Sequence, residues 1–211
     1  MERNSSDVKI FKKPARKPAG AAVLQDTVTQ AIHRALFEEW AQTGYSALRM
    51  ERIAARAGVG KAALYRRSKS KLELVSEAVR TTATTITPIP DSGSFESDVA
   101  LLLRRLAATI RHRLVRRILP DLHAELARSG ELKDLLECIT QDRRAQATIM
   151  IERAIARGGL PEETDRRTIL DLLIAPLYWR VIVQRKPVTS ADLKMYAGLV
   201  TRFATEFESY K

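Results

Sequence analysis

The chain has 211 residues, of which 45% are apolar and 29% charged, a composition that permits a sizeable core and excludes a largely disordered protein. Its net charge of +11 indicates a polyanionic partner, with nucleic acid ahead of an anionic membrane. Cys138 is the only cysteine, which excludes an intramolecular disulfide and a four-cysteine zinc module. Because we recognise neither a signal peptide nor an apolar run of spanning length, we expect a cytoplasmic protein with no membrane partner.

The N-terminal segment is basic and contains several helix breakers. Residues 1–21 show little apolar periodicity, so we predict a flexible basic arm there. Apolar residues then recur at four-residue spacing from Val28 to Trp40. This spacing is typical of one face of a helix, and Gly44 is expected to end that helix.

Three further helices are predicted before a break in the pattern. Two short ones span roughly Met50 to Ala57 and Lys61 to Arg67, and a longer one runs from a capping box at Ser70–Glu73 to about Thr84. The breaker-rich segment 87–93 follows, and we place a domain boundary at its start.

The rest of the chain is also helical in pattern. Helices are predicted near residues 94–112, 116–128, 131–157, 163–185 and 190–209. Pro120 and Pro176 are expected to kink or break the helices that contain them. The sequence therefore predicts an all-α fold of about nine helices, with a three-helix N-terminal domain within residues 22–86 and a larger helical bundle over residues 87–211.

Positive charge is concentrated in residues 49–71. This window holds eight Lys and Arg residues against a single acidic residue, Glu51. A solvated helix surface is the ordinary explanation for a run of charges, but such surfaces interleave both signs. The imbalance therefore favours a surface that faces phosphates.

Residues 50–69 have the spacing of a helix-turn-helix. Ala54 is small where the two helices would cross most closely, and Gly58 suits a turn that needs a positive φ. Val59 and Leu64 are expected to bury against the preceding helix and fix the angle between the two. A plain helical hairpin inside a bundle is the alternative, but the basic window favours DNA binding.

The second of these short helices would present its exposed side to a groove. Lys61 can reach a phosphate or a guanine edge, and Tyr65 a phosphate or a thymine methyl group. Small neighbours at Ala62 and Ala63 would let the backbone come close to the groove floor.

The same stretch resembles a known family. Gly44-Tyr45, the run Ile53–Arg67, Ser70-Lys71 and Leu74 are similar, in order and spacing, to the N-terminal domain of the tetracycline-repressor (TetR) family. The resemblance covers about residues 27–80, and the segment Ala175–Arg180 also resembles part of the eighth helix of some members.

The resemblance implies a homodimer that binds a palindromic double-stranded DNA operator in successive major grooves. It implies repression of transcription and release of the DNA by an unknown small-molecule effector bound in the C-terminal body. Because the sequence contains no recognisable catalytic constellation, we expect no enzymatic activity and no cofactor. The predicted DNA-contacting residues are Arg49, Arg52, Lys61, Ala62, Ala63, Tyr65, Arg66 and Lys71.

Two positions depart from the family pattern. Arg49 stands where the family usually has a Thr or Ser that caps the helix and touches a phosphate, although Arg itself binds phosphate strongly. Ser68 stands where the family usually has Phe or Trp, so we expect looser packing between the third and fourth helices.

A dimer face is predicted on the last two helices. It comprises Leu170, Leu173, Leu177 and Val181 on one, and Leu193, Ala197, Val200, Phe203, Ala204 and Phe207 on the other. Intramolecular core is the alternative for each residue. The alternative for the whole chain is a helical scaffold, or a non-specific basic binder of an acidic protein, nucleic acid or membrane.

Overall fold

The computed structural model describes residues 21–86 and 89–206, and the prediction of an all-α chain is confirmed over these ranges. The helices are α1 (Ala21–Thr43), α2 (Met50–Ala57), α3 (Lys61–Arg67), α4 (Lys71–Ile86), α5 (Phe95–Arg111), α6 (Val115–Arg128), α7 (Lys133–Ala156), α8 (Arg166–Tyr178) with a π-helical turn at Trp179–Val183, and α9 (Ser190–Thr205). Residues 1–20 of the predicted arm lie outside the described residues.

The described chain forms two compact units. The first contains the helices up to Thr84 together with His112–Leu136, and the second contains Thr85–Arg111 and the part that follows from Glu137. Helix α6 joins the first unit because it packs against α1. The assignment of DNA binding to residues 22–86, and of ligand binding and dimerisation to residues 87–211, stays a prediction.

A partly buried carboxylate links α6 to the end of α1. Asp121 accepts a hydrogen bond of 2.7 Å from the indole Nε1 of Trp40 and one of 2.8 Å from the backbone N–H of Tyr45. Both aromatic residues are buried, and their ring centroids are 5.7 Å apart. Gly44, at φ +81°, makes the turn between them, as its place in the sequence predicts.

The second unit has a continuous apolar core built largely from α5, α7, α8 and α9. It takes up most of the face that we predicted for dimerisation: Leu173, Leu177, Val181, Ala197, Val200 and Ala204 are buried in it, and Leu170, Leu193 and Phe203 pack against it. The predicted dimer face was therefore wrong for the six buried residues, because α8 and α9 pack on α5 and on each other with that side inward. For Leu170, Leu193 and Phe203, which stay partly exposed, it remains a prediction. Phe207 lies outside the described residues.

Neither helix-internal proline ends its helix. Pro120 lies inside α6 and Pro176 inside α8, so the expected breaks are absent at both positions. Helix α8 instead changes to π-helical hydrogen bonding three residues after its proline, and the N–H of Gln184 donates to the carbonyl of Trp179. A π-helical turn is wider than an α-helical turn because its hydrogen bonds span five residues instead of four, so it accommodates one extra residue.

Candidate nucleic-acid interface

The turn between α2 and α3 has the geometry of a helix-turn-helix. Both helices have the bounds that the sequence predicts. Gly58 lies between them at φ +69°, and the N–H of Val59 donates to the carbonyl of Ala54 over 3.0 Å. A Cβ at Gly58 would meet nothing within 4 Å, so the backbone angle, and not crowding, is what favours glycine there.

Small and apolar side chains fix the angle between the two helices. Ile53 and Leu64 are fully buried, and Ala54 is nearly so, as expected for the point where the helices cross. Val59 is only half-buried and contributes less than predicted. Because these contacts are internal to the first unit, they present the opposite side of α3 to solvent.

That outer side, which we call the α3 face, consists of Lys61, Ala62, Ala63, Tyr65 and Arg66. All except the half-buried Ala63 are exposed, including Tyr65, whose exposed fraction of 39% is high for an aromatic residue. The structure thus brings five predicted contact residues together on one short helix, with small side chains beside long ones. A major groove is wide enough to admit a helix with this profile.

A buried acid that the sequence did not reveal holds α2 on α1. Glu39 is 1% exposed, and its Oε2 accepts a 2.9 Å hydrogen bond from Nη2 of Arg56. The Nε of Arg52 lies 2.7 Å from the other oxygen, close enough for an ion pair but not aligned as a hydrogen bond. Arg52, one of the predicted DNA contacts, is therefore partly neutralised by Glu39, although its side chain stays exposed.

A second acid contacts the α3 face itself. Oε1 of Glu51 lies 2.7 Å from Nζ of Lys61 and accepts a 3.3 Å hydrogen bond from the hydroxyl of Tyr65. The ammonium group of Lys61 also lies 5.6 Å from the centroid of the Tyr65 ring. Hydrogen bonding to Lys61 lowers the pKa of Glu51, and the same bond raises the pKa of Lys61.

Other cations of this surface remain available. Arg66, Arg67 and Lys69 form no ion pair with any residue that the structure describes. Arg49 is exposed, provides no side-chain cap for α2, and makes only a 3.5 Å contact to the carbonyl of Leu48. These guanidinium and ammonium groups are suited to phosphate oxygens.

Lys71 begins α4 and is less free than predicted. Its Nζ donates to the carbonyl of Tyr45 over 3.2 Å and lies 4.0 Å from the centroid of that ring. Half of the predicted capping box is present: Oγ of Ser70 accepts from the N–H of Glu73 over 3.1 Å, whereas the Glu73 carboxylate accepts from the N–H of Lys69. A phosphate contact by Lys71 would therefore exchange its present contacts for a new one, and it stays a prediction.

Ser68 occupies a buried site without a hydrogen-bond partner. The residue is 0% exposed, and no group in the structure bonds to its Oγ. It lines a cavity of about 200 Å³ whose other walls are Thr29, Ile32, His33, Arg67, Leu74 and Glu77. This cavity lies beside the position where we expected looser packing between α3 and α4, and that looser packing stays a prediction.

Membrane-spanning and metal-binding features are absent from the described part of the chain. No helix there is long and apolar enough to cross a membrane. The same residues contain no group of three or more His, Cys, Asp or Glu side chains placed to hold a metal ion.

Comparison with known sequences gives the family. Residues 32–78 match the model described as bacterial regulatory proteins of the tetR family, and residues 89–200 match the tetracyclin repressor-like C-terminal domain. The uncharacterized HTH-type transcriptional regulator YdeS of Bacillus subtilis is 31% identical over 187 residues, or 84% of this chain and 92% of its own length. A second such regulator, Rv1556 of Mycobacterium tuberculosis, is 30% identical over 69% of this chain and 72% of its own.

Solved structures share the fold. A TetR-family regulator from Rhodococcus superposes with a TM-score of 0.68 at 21% identity, covering 85% of this chain and all of the other. The regulator FadR of Bacillus subtilis, solved with stearoyl-CoA, gives a TM-score of 0.66 at 18% identity, covering 83% of this chain and 97% of its own. The chain therefore belongs to the TetR family of DNA-binding transcriptional regulators.

Proposed function

We propose that the protein is a homodimeric repressor that binds a palindromic operator through its α3 face and leaves the DNA when a small molecule binds its C-terminal body. The observation that carries the DNA-binding part is the exposed α3 face, flanked by Arg49, Arg67 and Lys69, which form no ion pair with any described residue. Base contacts from the helix would supply specificity, and the flanking cations would contact phosphates.

An exposed apolar patch on the second unit supports dimerisation. Five large side chains on α8, its π turn and α9 are open to solvent in the single chain: Ile174, Trp179, Val183, Met195 and Leu199. Trp179 and Leu199 have exposed fractions of 58% and 54%. We infer that a second copy covers this patch, because soluble chains rarely leave so many large apolar groups uncovered.

Dimer symmetry would define the operator. Two α3 helices related by a twofold axis would enter successive major grooves about 34 Å apart, so half-sites repeat about one helical turn apart. The basic arm, residues 1–21, would add phosphate contacts without a sequence preference of its own. We infer that the protein acts on DNA in the cytoplasm.

The proposal includes release of the DNA when an effector binds. FadR of Bacillus subtilis was solved in complex with stearoyl-CoA, so a neighbour of the same fold takes a ligand. In this chain, the dimer would have one conformation that fits both half-sites and another that does not. An effector that binds the second conformation more tightly would shift the population away from the first and release the DNA.

Selection from a random DNA pool tests the proposal. We expect full-length protein to enrich a palindrome with half-sites one turn apart, and to bind it with a steep dependence on salt. Arg66→Ala should weaken binding by about tenfold, and Arg111→Ala, a cation outside the proposed interface, serves as the matched control. A salt dependence without any enriched sequence would identify a non-specific basic binder and contradict the proposal.

Deletion of residues 1–20 tests the arm separately. The shortened protein should select the same sequence, bind it more weakly and show a smaller salt slope, by about 0.9 for each phosphate that the arm neutralises in the full-length protein. An unchanged slope would mean that the arm does not contact DNA.

A further inference from the structure

Glu51 is an unexpected residue on a surface that faces DNA. It is the only acidic side chain among eight cations in residues 49–71, and its side chain is half exposed beside the α3 face. A carboxylate in this position is repelled by phosphates, so an advantage elsewhere must offset that cost.

The fold does not depend on the contact between Glu51 and Lys61. Helices α2 and α3 are held by Ile53 and Leu64, which are fully buried, whereas the ion pair is solvated and contributes little to stability. One oxygen, Oε1, takes both the ammonium of Lys61 and the hydroxyl of Tyr65, so the acid sets the positions of two groups expected to touch DNA. Its role is therefore better sought in recognition.

We propose that Glu51 and Lys61 together recognise one G·C pair in each half-site, an inference that rests on the DNA-binding function proposed above. In the major groove, guanine offers the acceptors O6 and N7, and cytosine offers the N4 amino donor. Guanine O6 and cytosine N4 are one hydrogen bond apart, about 2.9 Å. The donor of Lys61 and the acceptor of Glu51 are 2.7 Å apart, so the two side chains match these groups in both spacing and polarity.

The four base pairs rank differently against this pair of side chains. A T·A pair keeps the order of acceptor and donor, but it places a methyl group where Lys61 would find N7, and an acceptor beside the donor that Glu51 needs. Both A·T and C·G reverse the order and set the carboxylate against an acceptor. The expected preference is therefore G·C first, T·A second, and the two reversed pairs last.

Away from the operator, the same acid would limit binding. Glu51 cancels the charge of Lys61 and restrains it, which removes one phosphate contact from any random duplex. At the operator the two side chains stay side by side, and each gains a partner on the base pair, Lys61 on guanine and Glu51 on cytosine. Glu51 thus increases specificity in two ways: it weakens binding to random DNA and strengthens binding to the operator.

A base-pair scan with full-length protein tests the inference. After selection of the operator, each position of one half-site is changed to all four base pairs, and binding is measured by competition. We expect one position to show the ranking above, with the reversed pairs weaker by about tenfold. Glu51→Gln should bind random duplex more tightly, raise the salt slope by about 0.9, and lose most of that ranking. Glu51→Asp keeps the charge but shortens the reach, so it should lose the ranking without the gain on random DNA.

Two controls sharpen the result. Glu73→Gln removes an equal charge from the same domain and preserves the cap, because Gln also serves in a capping box; it should leave the ranking unchanged. In the DNA, 7-deazaguanine should reduce the preference for G·C over T·A, because Lys61 loses its N7 acceptor, whereas inosine, which differs only in the minor groove, should leave the preference unchanged.

The outcomes separate the two proposals. Failure of the wild-type protein to select any sequence would overturn the proposed function. Selection of an operator whose base preferences are the same in wild type and Glu51→Gln would leave that function standing and overturn the role of Glu51.

Discussion

The two units of the molecule differ most in what they leave exposed. The first unit surrounds the α3 face with cations, and Tyr65 is its single large apolar side chain that is open to solvent among the described residues. The second unit exposes Ile149 and the five residues of the apolar patch. Surfaces of these two kinds suit different partners, a polyanion for the first and a second protein chain for the second.

The difference also shows that composition is a poor guide to the available surface. In the first unit, Glu39 and Glu51 occupy three cations of the basic window, so its free charge is smaller than a count predicts. In the second, the regular apolar stripe of α9 is core, and the exposed apolar residues Met195 and Leu199 lie on another side. The surface available to a partner is therefore the part that packing and ion pairing leave exposed and unneutralised.

The largest expected effect is on the apolar patch. Leu199→Glu would place a carboxylate in the proposed dimer contact, at a cost of about 4 kcal/mol or a thousandfold weaker dimer. Light scattering should then show monomers at concentrations where the wild type is dimeric. Thr205→Glu adds the same charge near the end of α9, outside the patch, and should remain dimeric. Dimers of Leu199→Glu would place the interface elsewhere.

The next effect concerns Asp121, the partly buried carboxylate that links α6 to α1. Asp121→Ala would leave the indole N–H of Trp40 and the backbone N–H of Tyr45 without their acceptor, and should lower the free energy of unfolding by about 3 kcal/mol. Asp121→Asn, whose amide oxygen can still accept both bonds, should cost clearly less. Urea unfolding measures both. Equal losses for the two variants would show that charge, and not hydrogen bonding, matters at this site.

A smaller effect of opposite sign is expected at Ser68. Ser68→Ala removes a buried hydroxyl that has no partner and should raise the free energy of unfolding by about 1 kcal/mol. Ser68→Phe tests whether an aromatic ring fills the adjacent cavity, and a further rise in melting temperature would indicate that it does. A loss of stability in Ser68→Ala would mean that the hydroxyl is bonded in solution.

The smallest effect is a pH dependence at His33. Burial lowers the pKa of this residue from 6.5, while Glu77 acts in the opposite direction. The unfolded chain therefore takes up the proton first, and stability should be complete above about pH 7 and fall as the pH decreases through 6.5. His33→Gln should flatten this dependence in unfolding curves at pH 5.5 and 7.5. A steeper dependence in the variant would contradict the burial of a neutral imidazole.

Local features of the sequence predicted local structure well. Helix α2 ends and helix α3 begins where predicted, because Gly58 and Gly60 occupy the capping positions there. The contacts of Glu39 and Asp121 could not be predicted, since they join residues 13 to 81 positions apart. The dimer face was misplaced for a related reason: periodicity identifies an apolar stripe on α9 but not which neighbour covers it.

The ion pairs between Glu39 and α2 have a consequence for the local unfolding of that helix. An isolated helix of eight residues is unstable in water, so α2 owes its persistence to its attachment to α1. Arg52 and Arg56, one turn apart, reach the same buried carboxylate. Amide hydrogens of α2 should therefore exchange with deuterium together with those in the second half of α1, as one cooperative segment.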